Sequence, residues 1–286
     1  MNFDMNRTWS QAVALVRANL QLLAVVAGVF LLLPALAFYL FNPDLLQLFV
    51  AGRTVEQIDA SIAAMAPRLL AFGLVVFVGQ MIGQAALVAL VGRHRPTVGE
   101  AIGLGARALP SLVGALIVFF LGMYAVGLMF SLLMALVALL FGAALVTGGA
   151  LTGLISIAVL VVQLYLMVRC MLALPVIVLE HQRNPWKALV RSWRLTAGHA
   201  WRILAFVVLL GVAYFVIALL VMFVLGAIGL IAGADPSGQA IGTGSVLGFA
   251  AVASVMGAAV AMLASGVLVS MHRQLASEPD DVEFDA

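Results

Sequence analysis

The sequence predicts an all-α, polytopic membrane helical bundle: six transmembrane helices, with short amphipathic interfacial helices before spans 1, 3 and 5. Three observations predict it. Of the 286 residues, 65% are hydrophobic and 9% charged, against about 45–50% and about 25% in soluble domains. The apolar excess is gathered into long blocks, several exceeding the ~20 residues that cross the hydrocarbon core of a bilayer. The basic residues fall almost entirely on alternate connections between those blocks. A soluble fold of this composition would expose large apolar patches and aggregate. A membrane barrel needs ~10-residue segments of alternating polarity, and none occurs, so each block satisfies its own backbone as a helix.

The spans are placed, in order, at Leu20–Phe41, Leu69–Val91, Pro110–Val146, Ala150–Leu174, Trp201–Ala232 and Val246–Met271. The third block runs 37 residues without a charge. At 1.5 Å per residue it is longer than a ~30 Å bilayer, so it must tilt, bend or protrude. The Thr147-Gly148-Gly149-Ala150 turn separates it from the fourth block. The outer connections are Asn42–Arg68, the Gly-Gly turn and Gly233–Ser245; only the first has room for a short helix. Arg7 and Arg17 before an apolar run, with Ala35-Leu36-Ala37 as a cleavage site, also fit a signal peptide. The run continues to Phe41, which favours an uncleaved span.

With six spans and an inward N-terminus, twelve basic residues lie on the cytoplasmic side (Arg7, Arg17, Arg93, Arg95, Arg107, Arg169, Arg183, Lys187, Arg191, Arg194, Arg202 and Arg273) and two, Arg53 and Arg68, outside. That asymmetry predicts a plasma-membrane protein with both termini cytoplasmic. Thirteen of the fourteen basic residues are Arg, which together with abundant Ala, Val, Leu and Gly suggests a GC-rich bacterial genome and hence the bacterial inner membrane. A net charge of +2 gives no reason to expect nucleic acid. The single cysteine, Cys170, excludes an intramolecular disulfide and a cysteine-rich metal site.

Three segments share a layout. Thr8-Trp9-Ser10-Gln11-Ala12, Thr97-Val98-Gly99-Glu100-Ala101 and Asn184-Pro185-Trp186-Lys187-Ala188 precede spans 1, 3 and 5, with starts 89 and 87 residues apart. The first two read as capping boxes; the third has Asn as cap and Pro in the first helical position. The chain reads as one membrane domain, 1–275, with a threefold repeat near 6–95, 96–182 and 183–274, and an acidic, disordered tail at 276–286.

The richest stretch is Arg169–Arg202. Its middle is a helix from Pro185 to Ala197, closed by Gly198. Trp186, Leu189, Val190, Trp193 and Ala197 share one face by spacing, opposite Lys187, Arg191 and Arg194. Such a helix lies in the headgroup plane, with its cations toward anionic lipid. It serves either as an orientation anchor or as a recognition surface for a lipid phosphate or an acidic partner group. Arg169 is followed by ten uncharged residues and sits at or below the membrane surface. Such a charge usually pairs; Glu180 is the nearest acidic candidate, with Gln163 and Glu100 as others, and a snorkelling Arg is the plain alternative. Candidate lipid- or partner-binding residues are Arg169, Glu180, Lys187, Arg191, Arg194 and Arg202. Gln80, Gln84 and Gln163 are candidate intramembrane polar contacts. Gln80 and Gln84 share a face beside the Gly79-x-x-x-Gly83 motif, while Gly257, Ala261 and Ser265 predict close packing of span 6. No metal, phosphate-loop or nucleophile motif is present, so no catalytic residue and no cofactor are expected.

The pattern Arg169, Leu174-Pro175, Glu180, Ala188-Leu189, Arg191-Ser192-Trp193, Leu195-Thr196, Gly198 and Trp201-Arg202 resembles the membrane domain of bacterial glycerophosphoryl diester phosphodiesterases and related six-span bacterial membrane proteins. In those enzymes catalysis belongs to a separate soluble barrel. The resemblance therefore implies a membrane module without phosphodiesterase chemistry, since this chain ends about a dozen residues after its last span. The expectation is a non-enzymatic membrane protein engaging lipids or a protein partner. The alternatives are a transporter or channel using a polar path through Gln80, Gln84 and Gln163, and a membrane subunit of a separately encoded enzyme.

Overall fold

The computed structural model describes residues 4–42, 45, 54–92, 96–141, 150–231 and 243–276, which are helices joined by short turns, with no strand among them. Six helices are long and apolar enough to cross a membrane. The protein is a multi-pass α-helical membrane protein.

Helix α1, Met5–Ala18, starts earlier than the sequence suggests. Asp4 Oδ1 accepts from the amides of Asn6 and Arg7 at 2.9 and 3.1 Å, so Asp4 is the cap and the capping box expected at Thr8 does not form. Thr8 is instead buried one turn in, its hydroxyl donating to the Asp4 carbonyl. Asn19 interrupts the helix. Then α2 spans Leu20–Phe41, as expected, with a wide π-turn at Gly28–Leu32.

Helix α3, Val55–Gly92, begins before the expected second span and runs through Pro67. Most of the connection between Asn42 and Thr54 lies outside the described residues. Thr54 and Gln57 cap it reciprocally at 3.1 and 3.3 Å. Helix α4, Val98–Phe141, likewise runs unbroken through Pro110. The Thr97–Glu100 capping box forms, at 2.9 and 3.3 Å. The helix continues past Gly103 and Gly105, so the segment expected as a free interfacial helix is the first part of span 3.

Helix α5, Ala150–Cys170, ends four residues before the expected boundary. A turn at Met171-Leu172 leads into α6, Ala173–Leu179, whose sequence is wholly apolar. Five of its seven residues are buried. His181, at φ 55°, closes this segment in the left-handed region. Helix α7, Pro185–Leu195, is capped by the Asn184 side chain. Gly198, at φ 79°, marks the break before α8, Ala200–Ile231. Helix α9, Thr243–Ala276, completes the bundle. The Thr147–Gly149 turn, most of Gly233–Ser245, the last residues of the expected third span and the acidic tail lie outside the described residues.

The packed core sits at the arginine-bearing end. Seven consecutive residues of α3, Ala85–Val91, are 0–2% exposed, so α3 is surrounded there by α2, α4, α6 and α9. Small residues permit that crowding. A Cβ on Gly105 of α4 would lie 2.6 Å from the Ile82 carbonyl of α3, and one on Gly266 of α9 would lie 2.9 Å from the Ala12 carbonyl of α1. The three alanines of the sequence layout, Ala12, Ala101 and Ala188, are each 0% exposed.

Candidate functional site

Arg169 stands one residue before the end of α5. Its Nε and Nη2 donate to the Tyr165 hydroxyl at 2.9 and 2.6 Å, and its Nη1 donates to the Trp193 carbonyl at 3.0 Å. The guanidinium carbon lies 5.1 Å from the Tyr165 ring centroid and 4.8 Å from that of Trp193. Two aromatic faces thus hold the cation while a hydroxyl and a carbonyl take its N–H groups. The Ser192 hydroxyl donates to the Arg169 carbonyl at 2.7 Å, so the residue locks α5 to α7 with side chain and backbone.

Glu180 is not its partner. The Met171-Leu172 turn and α6 carry Glu180 away from Arg169 and set it against α9. There its carboxylate accepts from His272 Nε2 at 2.9 Å and lies 3.6 Å from Arg191 Nε. Beside it, Arg273 donates to the carbonyls of Val91 and Gly92 at 3.4 and 3.0 Å. These are the last carbonyls of α3, where the helix dipole favours a cation. Tyr165, His272 and Arg273 were absent from the sequence candidates. Tyr165 had a signal, its place four residues before Arg169 on one helix face. The other two had none, since their partners are about 90 and 180 residues away.

Helix α7 shows three sides rather than the expected two. Ala188, Leu189 and Ser192 face the bundle and are buried. Trp186 and Trp193, expected at the membrane interface, are 63% and 42% exposed. The 3.6-residue period grouped Leu189 with the tryptophans, but the bundle contacts the flank centred on Ser192. Lys187 and Arg194 form the third side. They are exposed and, among the described residues, make no side-chain hydrogen bond or ion pair; Arg202, at the start of α8, is in the same situation. The six sequence candidates therefore divide: Arg169, Glu180 and Arg191 tie helices together, whereas Lys187, Arg194 and Arg202 point outward.

Next to the tryptophan side lies an apolar groove of about 260 Å³ between α4, α5 and α7, walled by Phe119, Met123, Leu166, Trp186 and Trp193. It shares Phe119, Cys170 and Leu189 with a deeper cavity of about 480 Å³. Gln80 and Gln84 border that cavity and also a third, of about 620 Å³, toward α8 and α9. Gln163 is half-buried on α5 and lines none of the three. Ser265 donates to Gln84 Oε1 at 3.4 Å. The Gly79/Gly83 motif is half used: a Cβ on Gly83 would lie 2.6 Å from that of Phe30, while Gly79 has open space. On α9, Ala261 and Ser265 are buried as expected, but Gly257 is exposed.

Residues 143–279 match the family model described as the membrane domain of glycerophosphoryl diester phosphodiesterase. The match includes the whole Arg169–Arg202 segment that carries the resemblance. No curated protein and no solved structure shows a significant match to the chain.

Proposed function

We propose that this chain is a non-enzymatic integral protein of the bacterial plasma membrane, with both termini cytoplasmic, which binds anionic phospholipid headgroups through α7 and the start of α8. One observation carries the reading: on α7, two exposed cations without a partner among the described residues stand beside two exposed tryptophans that wall an apolar groove. Phospholipid has the matching chemistry, a phosphate for Lys187, Arg194 and Arg202 and an acyl chain for the groove. Arg169 and Ser192 hold α7 at a set height, so the cations stay at the interface rather than moving with a loop. The twelve-to-two distribution of basic residues supports the orientation. A transport path through the glutamines draws less support, because the described residues that line the three cavities include no charged side chain.

Native mass spectrometry of the detergent-purified chain, titrated with phosphatidylglycerol and with phosphatidylcholine, tests the reading. Each cation near an anionic surface contributes about 1 kcal/mol. Changing Lys187, Arg194 and Arg202 together to Gln should therefore cut phosphatidylglycerol retention roughly tenfold or more and leave phosphatidylcholine unchanged. Equal retention of the two lipids by the unaltered protein would refute it.

A further inference from the structure

The cavity of about 620 Å³ on the α8–α9 side lies between helices long and apolar enough to cross a membrane and is walled mainly by apolar side chains, among them Leu31, Val221, Met222 and Phe249. Its volume falls within the ~300–1,000 Å³ of small-molecule sites. Three polar side chains face it without full protein partners. Ser254 is 2% exposed and its hydroxyl has no hydrogen bond. This is unusual for a helical serine, which normally donates back one turn; on the same helix Ser265 does so, to the Ala261 carbonyl at 2.8 Å, and Ser270 to the Val267 carbonyl at 2.9 Å. Gln80 makes no side-chain hydrogen bond among the described residues. Among the described residues, the Gln84 side chain has only the 3.4 Å contact with Ser265, at its oxygen. An unmatched hydroxyl or amide in an apolar environment is costly, and lipid tails cannot supply the missing partner.

We infer that this cavity is a binding site for an uncharged amphiphile, a lipid of hydroxyl or ester head and apolar tail, whose oxygens meet Gln80, Gln84 and Ser254. Amides and a hydroxyl both donate and accept, so they suit hydroxyl and ester oxygens equally. The described residues that line the cavity include no Lys, Arg, His, Asp or Glu, so it provides no counter-ion for a phosphate or carboxylate. The site is separate from the cationic side of α7, and its occupant differs in charge.

The test is photolabelling of the full chain in detergent with a diazirine-bearing monoacylglycerol, mapped by peptide mass spectrometry. Saturable label on Val221–Met222 and Phe249–Ala258 is expected. It should be displaced by plain monoacylglycerol and not by lysophosphatidic acid. Gln80→Leu should weaken labelling roughly fivefold, the equivalent of one net hydrogen bond, without lowering thermal stability. Ser254→Ala, which leaves the helix backbone unchanged, provides the same comparison if the first variant does not fold. Label that does not saturate, as in a cavity holding only water, would overturn the inference. So would label spread over the lipid-facing part of α4, equal displacement by the charged lipid, or full labelling of both variants.

Discussion

Leucines in the two halves of α3 have opposite surroundings. Toward the arginine-bearing end, Leu87 and Leu90 are 0% and 2% exposed; in the other half, Leu70 and Leu74 are 73% and 64% exposed. Helix α4 repeats the contrast, with Ala101, Ala108 and Ala115 buried, and Leu121, Met129 and Leu139 exposed. Within lipid, apolarity does not drive helices together, because lipid tails are as apolar as leucine. On α4 the ends differ in size: Ala101, Gly105, Ala108 and Ala115 lie where helices touch, and Leu121, Met129 and Leu139 face outward. Close packing, short hydroxyl-to-carbonyl bonds and capped helix ends hold the arginine-bearing half together. In the other half the described contacts between helices include aromatic pairs, Phe72 with Phe38 and Phe41, and Tyr39 with Phe249.

That contrast can be broken first at leucine. Leu87→Ala should cost about 2–5 kcal/mol, because the site is enclosed on every side and leaves a cavity, whereas Leu70→Ala should change stability by less than about 0.5 kcal/mol. Unfolding in mixed micelles measures both, and similar values for the pair would erase the distinction. Next comes glycine on α4. Gly105→Ala drives a methyl against the Ile82 carbonyl and should cost about 1–3 kcal/mol. Gly122→Ala meets open space and should be neutral or slightly stabilising through helix propensity. A Gly105 variant with an unchanged melting temperature would mean that α3 and α4 can part without penalty. The smallest effect sharpens the picture at the Arg169 lock. Arg169→Lys should lose about 1–2 kcal/mol, nearly as much as Arg169→Ala, because lysine keeps the charge but lacks the planar fork and the stacking face. Recovery of stability by lysine would show that Arg169 acts as a point charge alone.

Much of this was legible in the chain. The presence and order of the six spans, the Asn184 cap, the Thr97–Glu100 box and the Gly198 break all follow from local chemistry, while spans 2 and 3 start earlier than expected, at Val55 and Val98. The misreadings share a cause. Thr8 lost its cap role to Asp4, four residues upstream, and the two candidates look alike until the buried Thr8 hydroxyl meets Gln274 at 3.2 Å. Glu180 was assigned to Arg169 by nearness in sequence, but the short α6 delivers it to His272. On α7 the 3.6-residue period put Leu189 on one face with the tryptophans, whereas Leu189 packs into the bundle and Trp186 and Trp193 stay exposed.

The sequence by itself determined that hydrocarbon surrounds this chain and which segments cross it, because a backbone in lipid must satisfy itself locally and a bilayer has one thickness. Tertiary structure alone decided which polar groups meet: Arg169 with Tyr165 and Trp193, Glu180 with His272, and Gln80 and Ser254 with an open cavity. Those pairings depend on which helices stand side by side, and an apolar periodicity that serves lipid and protein equally well carries no information about that choice.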